Sequence, residues 1–341
     1  MNLKKLIIEK AGELKIDKIG FTDASVLERT QLELSKRAGI SYFPIAPGKI
    51  WKKCTPEGKL PGAQTVIVGA LNYFTEKVFA PSVPLKGRVS PYTHADYYQA
   101  LEDKLKTLAE FIGKETGSHG FYCQSCYGEL REKEFAARAG LGWYGRNGVI
   151  MTREFGAWVV LGLLVTDLFI ERDEPLSNPC EASGCRKCID SCPTGAIEAP
   201  YQVNVFKCLQ GVTENFKSVP DELKSIWGDR FYGCSICLYV CPFNKGVINS
   251  HQNLPGAIEV PVDLKAVLLM SDEEFQKVYG ANQIGQRRKK EALQRNAVLA
   301  LGNSQCPAAF EIISRFADNR DCEIMMDACD WAMARLQNIR K

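Results

Sequence analysis

The first half of the chain alternates short apolar runs with amphipathic stretches. Leu3, Leu6, Ile7 and Leu14 fall on one helical face, and Thr65–Leu71 (TVIVGAL) is an apolar run of strand length. Asp96–Lys114 is the clearest helix, because Leu101, Leu105, Leu108 and Ile112 recur every three or four positions. A shorter helix is predicted over Glu129–Ala139, ahead of the turn GLGWYG. Trp158–Thr166 (WVVLGLLVT) reads as a central strand, since a strand covered on both faces needs no polar alternation. The polar, proline-bearing segment Glu171–Pro179 is a natural hinge into a cysteine-rich stretch that ends near Asn244. NSHQNLPGAIEVPVD then reads as linker, and from Asp272 the pattern is helical. Ala292–Leu301, Ala308–Phe316 and Glu323–Leu336 are predicted as short amphipathic helices. Their pairing resembles a unit of a helical-repeat (HEAT-like) array. The expectation is an α+β protein in three parts: an α/β domain over 1–170, a cysteine module over 171–250 and a helical tail over 251–341.

Composition narrows the class. The chain has 341 residues, 45% hydrophobic and 24% charged, which excludes a mostly disordered polypeptide. A net charge of +3 means that any nucleic-acid contact must come from a local patch. The longest apolar run, Ala157–Val165, falls far short of the roughly 20 residues of a membrane helix. The start, MNLKKLIIEKAGELK, is too charged for a secretory signal. A cytoplasmic protein with no membrane association is expected.

Fourteen cysteines change the picture, because eight of them lie between Cys180 and Cys241. A large chain without an export signal has no use for a disulfide framework, so the cluster reads as metal ligands. The first group is Cys180-x4-Cys185-x2-Cys188-x3-Cys192-Pro193. The second is Cys208 followed by Cys234-x2-Cys237-x3-Cys241-Pro242. In two-cluster bacterial ferredoxins, three cysteines of a run hold one cubane and the fourth crosses to the other. By that rule Cys180, Cys185, Cys188 and Cys241 serve one 4Fe–4S cluster, and Cys192, Cys208, Cys234 and Cys237 serve the second. Two structural zinc sites are the plainer alternative. A pair of clusters makes an electron wire, and a wire implies something reducible at one end.

The strings EKEFAARAGLGWYGRN (Glu132–Asn147), FGAWVVLG, CRKCIDSCPTGAI and FYGCSICLYVCPFNK resemble the epoxyqueuosine reductase family. KIDKIGFTDA, LPGAQTVIVGALNYF, SPYTHADYY and RNAVLALGN extend the likeness over nearly the whole chain. The resemblance implies a cobalamin- and iron–sulfur-dependent reduction of an epoxide on the tRNA wobble base, fed by an external low-potential electron donor. It implies cobalamin bound base-off between the first domain and the cysteine module. The matching cofactor-binding positions are Tyr92, Asp96, Tyr97, Gly142, Trp143, Gly145, Arg146, Asn147, Ala157, Trp158 and Tyr232. It also implies a tail that binds tRNA, and a monomer.

The chain departs from that family at the proton donor. Counting back from ARAGLGW, Cys126 stands where the family has an aspartate, so the donor is Cys126, a neighbour such as Tyr127 or Glu129, or the substrate differs. The first two cluster cysteines are separated by four residues rather than two, Arg146 replaces a lysine, and the family's DYH reads Asp96-Tyr97-Tyr98. A related reductase of small molecules, of the reductive-dehalogenase kind, is the alternative; a cobalamin-free electron carrier is a third reading.

Other motifs admit plain readings. Gly140, Gly142 and Gly145 fit G-x-G-x-x-G but follow a helix rather than a strand, so a tight turn competes with a cofactor loop. Cys123 and Cys126 could form a redox pair, bind zinc or do neither. Arg287, Arg288, Lys289, Lys290 and Arg295 either form a solvated helix face or grip RNA phosphates. His94, His119 and His251 make no ligand pair. Cys306, Cys322 and Cys329 are expected as small core residues.

Overall fold

The computed structural model describes residues 2–38, 47–76, 82–126, 128–247, 254–318 and 322–340. Its framework is a four-stranded sheet in the order Lys18–Asp23, Thr65–Asn72, Val159–Thr166, Phe121–Ser125, every pair antiparallel. The two apolar runs read as strands are thus neighbours at its centre. They show no polar alternation because both faces are covered. Ile67, Leu71 and Leu164 pack under the helices Leu3–Glu13 and Tyr97–Thr116, whereas Val66, Val68, Leu163 and Val165 meet Phe135, Ala136 and Leu141. Gly69 and Gly162 face each other across the central pair. A Cβ on Gly162 would lie 2.6 Å from Leu105, so the missing side chain lets the long helix settle onto the sheet.

Helix ends follow capping chemistry. Asp96 lies just outside the helix Tyr97–Thr116 and accepts a hydrogen bond from the Gln99 amide at 3.0 Å, while Gly117 in the left-handed region ends it. The predicted helix after Glu129 is shorter than its pattern and runs Glu132–Arg138.

The three expected segments share their cores. A second sheet takes one strand from each: Lys86–Val89 pairs in parallel with Arg230–Tyr232 and antiparallel with Val262–Asp263. One apolar cluster joins Val89, Leu209, Trp227 and Phe231 to Leu264, Leu293 and Leu299.

The fastening is the helix Lys290–Asn303, and here the amphipathic expectation fails. Eleven of its residues, Ala292 through Gly302, are buried. Its polar residues point inward and hold backbone carbonyls of the cysteine-bearing segment. Arg295 donates to Lys217 O at 2.7 Å and Val212 O at 2.9 Å; Asn296 donates to Thr213 O and Phe231 O, both at 2.9 Å. Arg295 is 1% exposed, stacked over Trp227, and its burial pulls the guanidinium down to about 10. It cannot reach RNA, which corrects that expectation: the sequence pattern gave no sign that the carbonyl acceptors lie beneath it. The following helices, Ala308–Ala317 and Glu323–Arg340, pack against this one as the pattern predicted. Of the three tail cysteines only Cys329 is core; Cys306 is half-buried and Cys322 exposed. Among the described residues no helix is long and apolar enough to cross a membrane.

Arg295→Ala should leave these carbonyls unpaired and destabilise the fold by on the order of 3 kcal/mol in urea unfolding. Lys289→Ala, on the exposed turn before the helix, should change it by less than about 0.5 kcal/mol. Equal shifts for the two variants would contradict this placement of Arg295.

Candidate functional site

Short helices present the cysteines. Cys180 sits in Pro179–Ala182, capped by Asn178; Cys188 in Lys187–Asp190; Cys237 in Ile236–Tyr239. Cys180, Cys185, Cys188 and Cys241 line a single cavity, with Met151, Pro242 and Phe243 around them. Cys241 has therefore left its sequence neighbours Cys234 and Cys237. Burial raises its thiol, as do Cys180, Cys188 and Cys185 beside it, against the Phe243 amide. The remaining four are also grouped. Burial raises Cys208, next to Cys234 and Cys192; burial pushes Cys237 up to about 12, next to Cys234 and Cys208.

Backbone amides are aimed at several of these sulfurs. Burial disfavours the Cys192 thiolate, but the Thr194 hydroxyl and the amides of Thr194, Ala196 and Ile197 outweigh it and hold the thiol below its usual range. The amides of Gly211 and Gln210 face Cys208. Such N–H groups stabilise negative sulfur, as cluster ligation requires. Among the described residues no three His, Cys, Asp or Glu side chains converge tightly enough for one metal ion; the first four cysteines surround a cavity instead.

Asn244 latches the second cysteine run to the central sheet. Its carboxamide accepts from Ala157 N at 2.7 Å and donates to Leu238 O at 2.8 Å, and its carbonyl accepts from Trp158 Nε1 at 3.3 Å. Ala157 and Trp158, each 1% exposed, and Tyr97, 2% exposed, are packed into the wall behind the site. Gly145 and Arg146 line the first cysteine cavity, and the Asn147 amide lies beside Cys237. The turn glycines have packing reasons of their own. A Cβ on Gly140, at φ +62°, would meet Glu174 O at 2.3 Å, and one on Gly142 would meet Met151 O at 2.2 Å.

A second polar group gathers around Cys126, whose backbone is left-handed at φ +65°. The loop that carries it is closed by Gln124, which donates to Leu130 O and accepts from Leu130 N, both at 3.1 Å. Burial pushes the Cys126 thiol up to about 12, Glu132 adds to this, and Arg287 and the Tyr98 hydroxyl oppose it. Tyr92, Tyr232 and Glu214 adjoin. Tyr92 Oη donates to Glu214 Oε1 at 3.1 Å, and Arg288 donates to Tyr232 Oη at 3.2 Å and to Glu214 Oε2 at 2.8 Å. Gln210 joins this network to the cysteine module, donating to Tyr92 Oη and accepting from the Cys234 amide at 3.1 Å.

The basic run therefore does not form one solvated face. Arg287 faces Asp96 and Cys126, Arg288 is paired with Glu214, and Lys290 with Asp272; only Lys289 is exposed. Among the expected donors, Glu129 is half-buried and ion-paired with Lys59, whose hydrogen bond lowers its carboxyl. That removes it as an acid over the site. Tyr127 and His251 lie outside the described residues. Glu132, which the sequence offered only inside a longer motif, proves to be a neighbour of Cys126. Burial pushes its carboxyl up to about 7, against hydrogen bonds from Gln124 and the Cys126 amide.

Eight grouped thiols, joined through Gln210 to a buried polar network around Cys126, define a two-cluster iron–sulfur oxidoreductase. The family model for a 4Fe-4S double cluster binding domain matches residues 181–244, and that for "Epoxyqueuosine reductase QueG, DUF1730" matches residues 53–126. The epoxyqueuosine reductase of Lactococcus garvieae is 36% identical over 99% of this chain and 97% of its own length. That of Bacillus subtilis is 31% identical over 98% and 88%. The chain belongs to the epoxyqueuosine reductase family. The solved Streptococcus thermophilus enzyme superposes with a TM-score of 0.88 at 30% identity, over 99% of this chain and 91% of that one. An epoxyqueuosine reductase bound to an epoxyqueuosine-modified tRNA-Tyr stem loop superposes at 0.83, with 28% identity over 98% and 99%. A Bacillus subtilis structure whose catalytic aspartate loop is swung out of the active site superposes at 0.87, with 31% identity over 98% and 90%.

Asn244→Ala should cost about 2–5 kcal/mol in urea unfolding, because a buried amide of Ala157 and the carbonyl of Leu238 lose their partner together. A shift below about 0.5 kcal/mol would show that the latch does not hold the module to the sheet.

Proposed function

We propose that this chain reduces epoxyqueuosine to queuosine in a tRNA anticodon loop, as a cytoplasmic monomer supplied by an external low-potential electron donor. The observation that supports this most directly is the grouping of Cys241 with Cys180, Cys185 and Cys188 around one cavity, in a module joined through Gln210 to the polar group of Cys126, Tyr98 and Arg287. In this reading Cys180, Cys185, Cys188 and Cys241 hold one 4Fe–4S cluster, and Cys192, Cys208, Cys234 and Cys237 hold the other, in a ferredoxin-like module. Helices of the 251–341 segment form a HEAT-like repeat that contacts tRNA.

The pocket also suits cobalamin. Among the described residues, Asp96 Oδ2, Trp143 Nε1 and Arg146 Nε are buried and have no hydrogen-bond partner, and the amide arms of a corrin both donate and accept. Tyr92, Asp96, Gly142, Trp143, Gly145, Arg146, Asn147 and Tyr232 would hold it, and when bound it supplies low-valent cobalt for opening the epoxide. The chain's own residues handle charge and protons. Burial keeps the Cys126 thiol protonated at neutral pH, so it is suited to donate a proton rather than to act as a nucleophile. Arg287 places positive charge where negative charge develops on the departing oxygen. Glu214 and Arg288, mutually paired, fix the tyrosines that border the pocket.

Anaerobically loaded protein, given a strong reductant and an epoxyqueuosine-containing stem loop, should yield the product lacking one oxygen by mass spectrometry. No conversion, with clusters and cobalamin both bound, would contradict the assignment. Reduction of a small molecule is the second reading, favoured by Cys126 where relatives have an aspartate. For the clusters, Cys241→Ser should expose Cys180, Cys185 and Cys188 to alkylation and halve an iron content of about eight per chain. Cys234 and Cys237 should stay protected; their becoming reactive instead would overturn the crossed ligand sets.

A further inference from the structure

The carboxyl of Glu132 lies directly behind Cys126. Its Oε1 accepts from the Cys126 amide at 2.6 Å and from Gln124 Nε2 at 3.1 Å. Gln124 is buried and is itself fixed by Leu130, so the carboxyl is held at the base of the loop that presents the thiol. Other carboxylates nearby are matched by cations: Glu214 by Arg288, Glu129 by Lys59 and Glu102 by Lys106. Glu132 forms no ion pair among the described residues, although Lys133 and Arg131 on its own helix lower it at longer range.

We infer that Glu132 is the proton store of the site, a positioning residue that acts through Cys126 and recharges the thiol after it has given up its proton. The inference rests on the reduction proposed above. Opening the epoxide to an alkene takes two electrons, delivered through the clusters from the external donor, and two protons, and it releases water. As the first carbon–oxygen bond breaks, the Cys126 S–H proton passes to the oxygen. The Glu132 carboxyl proton then moves to the sulfur, leaving the carboxylate, and solvent reprotonates Glu132. The same cycle supplies the second proton as the oxygen departs as water.

The chemistry of the two groups agrees with this direction. A carboxyl held near 7 gives its proton readily to a thiolate whose thiol lies near 12, and at neutral pH it is about half protonated and can be refilled. The groups facing Cys126 are Glu132, Arg287, Tyr98, Glu214, Tyr232 and Lys133; those facing Glu132 are Gln124, Cys126, Lys133, Arg131, Tyr98 and Tyr122. A carboxylic acid behind a thiol preserves an acid function where relatives place an aspartate.

The test uses the full-length, cluster-loaded protein with two readouts. In wild type, the iodoacetamide alkylation rate of Cys126, followed peptide by peptide, should show an inflection near pH 7 as Glu132 ionises. In Glu132→Gln the inflection should vanish, and alkylation at about pH 8 should be several-fold faster, because no carboxylate opposes the thiolate. A wild-type profile without that inflection overturns the inference, with no variant needed. In turnover on the epoxyqueuosine stem loop, wild-type rate should fall as pH rises through 7, since the store empties. Glu132→Gln should be about 10²-fold slower with no such limb, and Glu132→Asp should restore it. A slower Glu132→Gln with the wild-type limb intact assigns Glu132 a purely structural role and overturns the inference. Because the alkylation profile is read without substrate, it decides on Glu132 even if epoxyqueuosine proves not to be reduced.

Discussion

The constraint on which the molecule depends is the return of Cys241 to the cavity of Cys180, Cys185 and Cys188. A chain cannot place a residue from one run among those of another unless both runs are fastened to something rigid. Here the first run follows directly from the central sheet through the hinge after Thr166, and the second is latched to the same sheet by Asn244. The tail closes the arrangement from the other side. Arg295 and Asn296 hold the backbone around Val212, Thr213 and Phe231, so Cys208 and Cys234 are carried on a segment with little freedom. The small sheet shared by Lys86–Val89, Arg230–Tyr232 and Val262–Asp263 makes the same point in backbone hydrogen bonds.

Function follows from what this fastening brings together. Gln210, which accepts from the Cys234 amide, also reaches Tyr92 and Glu214, and Arg288 joins Glu214 to Tyr232 beside Cys126. The cysteine module and the polar group around Cys126 are therefore joined by one hydrogen-bond network. Burial sets the character of that group: it disfavours the charged forms of both Cys126 and Glu132.

Much of this was legible in the sequence, for physical reasons that differ by element. Cysteine spacing is read directly because ligand geometry allows few alternatives, and the strands at Thr65 and Val159 were legible because fully covered strands are continuously apolar. The destination of the basic run was not legible. Arg287, Arg288 and Arg295 look alike in a sequence, yet one faces the pocket, one is paired with Glu214 and one is sealed under Trp227. What separates them is the position of acceptors contributed by distant segments. Glu132 was hidden for the same reason: its partner Gln124 reaches it only because the loop between them folds back on itself. Glu129, nearer to Cys126 in sequence, turns outward to Lys59.

The crossed cysteine groups lie close enough for two neighbouring clusters, with Cys188 of one group within electrostatic reach of Cys237 of the other. Electron paramagnetic resonance of the dithionite-reduced, iron-loaded protein tests this most directly. The account predicts a broadened signal from two spin-coupled 4Fe–4S clusters, which Cys241→Ser reduces to the narrow signal of a single one. Two narrow, independent signals in the unmodified protein, or no iron–sulfur signal at all, would contradict it.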